Sequence, residues 1–207
     1  MEVGNPTTEA PNMELLPLPM PGGRALAPHY AGCPIFGDVQ LGLHATTEEY
    51  LEEIARVGDK IYGSVRSIQK GIPCLGQKRT IRLVLVSAKG LGFTGYTKYK
   101  DICTQAISLG FSLCPAEVAL AMRLAYRSQP FGGYIHIAME AIKWKMIYGT
   151  IWEILAVSHL SDHRLWLMSN AGEGEKEWPE DRIFVFACPM LEDRLKWLSE
   201  QAQEAQI

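Results

Sequence analysis

The apolar period of this chain changes near Tyr134, and that change limits the folds open to it. Upstream, apolar residues recur at helical spacing; downstream, "YIHIAMEAI", "MIYGTIWEILAV", "RLWLMS" and "RIFVFAC" alternate toward a period of two. Four runs of that kind joined by polar turns predict an antiparallel meander of about four strands. Helices followed by a sheet define an α+β fold. An extra strand is predicted over "TIRLVLVSA" (80–88), whose β-branched residues suit a pleated, buried surface.

The helices carry their own start and stop signals. In "ATTEEYLEEIARVGDKIYGSVRSI", Thr46 and Glu49 have capping-box spacing. Leu51, Ile54, Ile61, Val65 and Ile68 share a face, while Gly58 and Gly63 predict a bend or an early end. "TKYKDICTQAISLG" predicts a second helix with Gly110 at its C-cap, burying Cys103. In "GFSLCPAEVALAMRLAYR", Cys114 takes the cap position, Pro115 the first helical position and Glu117 the first turn. Gln129-Pro130 and Gly132-Gly133 end that helix. "PMLEDRLKWLSEQAQEAQ" predicts an amphipathic C-terminal helix, with Leu191, Leu195 and Leu198 inward.

Three segments follow from these patterns. Residues 1–44 form an arm that opens with Pro6, Pro11, Pro17, Pro19, Pro21 and Pro28 and has no sustained apolar period. Its end, 30–44, is apolar enough to lie against the rest. Residues 45–188 form one α+β domain, and 189–207 the terminal helix. The N-terminus lacks the basic and apolar regions of a secretory signal. No run approaches the ~18 apolar residues of a membrane helix. Five cysteines without a CxxC pair support neither a disulfide framework nor a zinc site. A cytoplasmic protein without a membrane or a cofactor is expected. The net charge of −3 gives no overall attraction to nucleic acid.

From 91 to 186 the chain resembles a group of small bacterial proteins with no established activity. The resemblance rests on "LGF" (91–93), "LCPAEV" (113–118), "RLAY" (123–126), "QP" (129–130), "IAMEAI" (137–142), "LWL" (165–167) and "WPEDRIFVF" (178–186). It implies one folded unit of bacterial type and carries no functional residue across.

Several constellations hold possible chemistry. Cys114 at a helix start, with His136 as base, has the residue types of a nucleophilic pair. Glu117, Arg123, Gln129, Glu140 and Arg182 are polar residues inside apolar elements; if buried they must pair, as a substrate pocket or as a structural cluster. His159, Asp162 and His163 in "SHLSDH" offer ligands suited to zinc or iron, within a predicted hairpin turn. Gly90, Gly92 and Gly95 make a GxGxxG after a strand, but no second parallel strand follows to carry the acidic ribose partner. Residues 98–127 outline a helix-turn-helix with Arg123 and Arg127 on the second helix.

No complete catalytic set emerges, so the leading expectation is a non-catalytic protein-interaction or regulatory module. The alternatives are a hydrolase-like enzyme around Glu117, Arg123, His136 and Glu140, and a nucleic-acid-binding regulator. Deleting residues 1–29 is expected to leave a folded protein, because that stretch offers little periodic apolar surface against its ordering entropy. The thermal midpoint of the truncation should fall by less than ~8 °C.

Overall fold

The computed structural model describes residues 35–146, 149–160 and 162–188. Residues 1–34 of the expected arm and the expected helix over 189–207 lie outside them. The first described element is β1 (Ile35–Leu41), which pairs antiparallel with β3 (Arg79–Ser87). The end of the arm thus supplies an outer strand.

The long helical pattern after Thr46 divides at its glycines. Helix α1 (Thr47–Arg56) starts with the Thr46 hydroxyl accepting from the Glu49 amide, while the Glu49 carboxylate accepts from the Ala45 amide. Gly58, at φ 88°, stops it. The two-residue strand β2 (Lys60–Ile61) follows, and then α2 (Gly63–Ile68). After β3, the short strand β4 (Tyr96–Lys98) leads into α3 (Tyr99–Ser108), which ends at Leu109-Gly110. Next come α4 (Glu117–Ala125), β5 (Tyr134–Ile137), β6 (Ile142–Met146) and β7 (Gly149–His159). The described chain closes with β8 (Leu165–Ala171), β9 (Glu177–Pro179) and β10 (Ile183–Cys188).

The eight-stranded sheet runs β1-β3-β10-β5-β7-β8-β2, with β6 on β7; β4 and β9 make a separate ribbon. Mixed α+β architecture is therefore present, but the simple meander is not. β5, β6 and β8 all pair antiparallel with β7, whereas β10 enters between β3 and β5 and runs parallel to β5. The β4–β9 ribbon carries the chain across before β10 begins. The run expected as one strand from Met146 onward breaks at Gly149, whose φ of 145° few side chains tolerate.

Residues directly opposite on paired strands share a face, so the registers sort the sheet into two sides. One side carries Val39, Leu83, Val185, Ile137, Val157 and Leu167, all buried. Helix α4 packs against β1, β7 and β8 with α1 over it. Its residues Glu117–Arg123 are all buried, the mark of a helix enclosed on every side. The other side carries Phe184 and Phe186, which meet Tyr99 and Phe111 from the α3 region.

Helix α4 brings a carboxylate into this interior. Glu117 is fully buried; its Oε1 accepts from the Gly42 amide and the Tyr50 hydroxyl, both at 2.7 Å, and its Oε2 from the Leu75 amide at 2.7 Å. Three segments far apart in sequence are tied to one side chain. Gly42 is required there, because at φ +69° a Cβ would lie 2.0 Å from the Gln77 carbonyl oxygen. Burial, then the bond to Glu117, pushes the Tyr50 phenol up.

Glu117→Ala leaves the buried Tyr50 phenol and the part-buried Gly42 and Leu75 amides without their acceptor, at ~1–3 kcal/mol for each group that water cannot reach. Urea denaturation should show a loss of at least ~3 kcal/mol, against less than ~0.5 kcal/mol for Glu140→Ala on the surface.

Candidate functional site

A cleft of about 510 Å³ opens beside the start of α4, lined by Pro73, Leu113, Cys114, Ala116, Glu140 and Lys143 among others. That volume suits a small ligand. The cleft brings together two of the residues expected to carry chemistry, Cys114 and Glu140, but does not activate the thiol. Cys114 is 4% exposed, and its thiol donates to the Val185 carbonyl at 3.6 Å. Burial pushes it up, away from the thiolate. Nor does Cys114 cap the helix: the turn begins at Pro115, whose carbonyl accepts from the Val118 amide, and Ala116 holds the cap position. The Cys114 amide bonds Ala138 instead, and Ser112 bridges to Ala187, so the segment before α4 is stitched to the sheet. Glu140 is exposed at the cleft.

Glu117, Arg123, His136 and Glu140, expected around one pocket, are distributed. No hydrogen bond, ion pair or ring contact joins any two of them among the described residues. Glu117 is spent on the three-segment clasp. Arg123 is fully buried; Nη1 donates to Gln129 Oε1 at 2.7 Å and Nη2 to the Tyr126 carbonyl. Its Nε lies 3.2 Å from Asp59 Oδ2 but off hydrogen-bond geometry, so that contact is Coulombic. Arg127 grips the same carboxylate with both terminal nitrogens. Burial pushes Arg123 down to about 10, with Asp59 opposing, and leaves it charged at neutral pH. Gln129 completes the group, donating to the Gly133 and Val157 carbonyls, both at 3.1 Å. Arg123 and Gln129 therefore join α4 to β7.

His136 lies on the other side of the sheet, its ring 4.6 Å from that of Trp178 and 4.8 Å from that of Tyr134. Arg182 covers the Trp178 ring at 5.9 Å. Burial, then the Arg182 charge, pushes His136 down to about 3. Its Nδ1, the Trp178 Nε1 and the Arg182 Nε are buried without a hydrogen-bond partner.

The "SHLSDH" residues brace a turn. His159 Nδ1 meets the Gln129 carbonyl at 2.7 Å, and Asp162 accepts from Trp166 Nε1 at 3.0 Å and from the Arg164 amide. His163 stacks on Phe131 at 4.8 Å. No group of three metal-ligating side chains is assembled among the described residues. The glycines of "AKGLGFTG" lead into β4 rather than a helix, which removes the helix N-terminus a phosphate would use. Helices α3 and α4 make few contacts with each other; of the two arginines in the helix-turn-helix outline, Arg123 is buried and Arg127 grips Asp59.

Period-two spacing alone did not expose a further surface. On the Phe184 side, the β7–β8–β2 end of the sheet is only half covered. Tyr62 is 48% and Trp152 38% exposed, while Tyr134, Trp166, Met168 and Asn170 are half-buried. The register aligns Lys60, Trp166, Ser158 and Tyr134 across four strands, and Lys143 with Trp152. The sequence shows "RLWLMS" as a strand, but the spacing puts Ile61 on a helix face and "KWKM" in no strand, and which residues share a face needs the pairing.

The chain matches no protein-family model, no curated protein and no solved structure. Among the described residues, no helix is long and apolar enough to cross a membrane.

Because native His136 resists protonation while the unfolded chain takes a proton near pH 6.5, stability is full above about pH 6.5 and falls as the pH drops toward 3. His136→Phe should remove up to ~1.4 kcal/mol per pH unit of that slope between about pH 6 and about pH 4.5, read from urea unfolding at each pH.

Proposed function

We propose that this chain is a non-catalytic interaction module of the bacterial cytoplasm, working through the half-open sheet face that carries Tyr62, Trp152 and Trp166. The observation behind the reading is an asymmetry of roles. The interior ionisable groups Glu117, Arg123 and Asp59 are committed to bonds that hold segments together. Large aromatic side chains, by contrast, stand exposed on one sheet face. Trp and Tyr are the residues most often dominant at binding surfaces. A hydrolase around Glu117, Arg123, His136 and Glu140 gains little support, because no hydrogen bond or ion pair joins any two of them among the described residues, and burial pushes the Cys114 thiol away from the thiolate.

The test compares the proteins and nucleic acids that co-purify with three forms of the full-length protein from extract of its host. The double variant Tyr62→Ala/Trp152→Ala should lose the wild-type partners by at least about tenfold. Tyr96→Ala, a 73% exposed residue outside the face, should keep them. Equal recovery by the double variant, or an activity that disappears in Cys114→Ser, would overturn the proposal.

A further inference from the structure

The half-open face combines two kinds of side chain in one strip. Its rings are Tyr62, Tyr134, Trp152 and Trp166, on the side of the sheet that carries Phe184. Its cations are Lys60 beside Trp166, Lys143 over the Trp152 ring at 5.4 Å, Lys145 in line with Lys143, and Arg182 over Trp178. Lys143 and Lys145 are exposed; Lys60 and Arg182 are half-buried. None of the four has an acidic ion-pair partner among the described residues.

Acids border the strip as well: Asp162 already accepts from Trp166 Nε1, Glu173 lies in the loop after β8, Glu140 lines the cleft beside Lys143, and Glu153 acts on Tyr134. In a chain of net charge −3, four cations nonetheless meet these rings on one face. From Trp152 to the level of Trp166 it runs six residues along β7, about 20 Å at ~3.3 Å per residue. That length takes several consecutive units of a linear ligand. Two buried polar atoms on the same side, Ser158 Oγ and His136 Nδ1, have no hydrogen-bond partner among the described residues.

We infer that this face binds a single-stranded nucleic acid, with bases stacking on Trp152, Trp166 and Tyr62 and phosphates meeting Lys60, Lys143, Lys145 and Arg182. The inference rests on the reading of this face as the working surface and names its ligand. Positive charge interleaved with rings on a sheet is the chemistry that unpaired bases and phosphates require. A duplex hides its base faces, and an acidic peptide makes no use of the rings. The surface lies on the sheet rather than on α3 and α4, where the sequence outline had placed a nucleic-acid reader.

The probes are fluorescein-labelled twelve-nucleotide oligo(dT) and oligo(rU), titrated with the full-length protein and followed by anisotropy. Binding should weaken by about 20- to 50-fold for a fourfold rise in salt, as expected when three or four phosphates are neutralised on a single strand. Trp152→Ala should weaken it at least about fivefold through lost stacking. Lys143→Glu/Lys145→Glu should weaken it and flatten the salt dependence. A duplex of equal length should bind at least about tenfold more weakly.

The inference is overturned by absence of binding, by equal affinity for the duplex or for a poly-glutamate peptide, or by binding that Trp152→Ala leaves unchanged. If the oligonucleotides fail while Tyr62→Ala/Trp152→Ala still loses its co-purifying partners, the ligand is wrong and the surface stands. If both fail, the surface itself is wrong.

Discussion

One buried carboxylate holds this fold together. Glu117 projects from a helix whose other residues, apart from Arg123, are Ala, Val, Leu and Met, and an uncompensated charge there would be costly. No cation pairs with it among the described residues; two backbone amides and the Tyr50 hydroxyl satisfy it instead. Those donors come from the end of β1, from α1 and from the loop before β3. A helix in the middle of the chain thereby fixes how the N-terminal strand, the first helix and the sheet meet. The left-handed turn at Gly42 follows from the same contact, since its amide must point at Glu117 while its Cα passes the Gln77 carbonyl.

The other end of α4 is tied by a different chemistry. Arg123, Asp59, Arg127 and Gln129 form a charged and amide-rich knot that reaches the backbone of β7. Acid at the first turn and base in the last also follow the helix dipole. Two of the polar residues that looked like a catalytic group, Glu117 and Arg123, are anchors at opposite ends of one helix. Each bears on which strands lie where, and neither lines the cleft beside the start of α4.

Local signals in the sequence were reliable where one or two residues settle the outcome. Thr46 and Glu49 cap α1, Gly58 ends it, and Gly110 follows α3. The same reading failed where the answer depends on partners far away. "RIFVFAC" reads as a strand, but nothing in its residues says that its neighbours are β3 and β5. Glu117 fits a helix start equally well with or without the clasp: Leu75 contributes only a backbone amide, and the need for glycine at 42 does not name Glu117 as its partner. Cys114 was placed at a cap by its proline, yet its backbone and thiol are drawn to Ala138 and Val185. The aromatic face was written in four separated segments, at β2, β5, β7 and β8, and became a surface only through their register.

The position of β10 has a consequence for how the protein is made. It is the last described strand in the chain and yet lies in the middle of the sheet, joining β1–β3 to β5–β7–β8. During synthesis both halves must wait, each with an unpaired edge, until residues 183–188 have left the ribosome. Such edges can pair with the wrong chain, and closing them needs contacts distant in sequence, which fold slowly. The nascent protein therefore passes through a vulnerable interval that the finished sheet conceals, and its yield in a cell depends on how briefly that interval lasts.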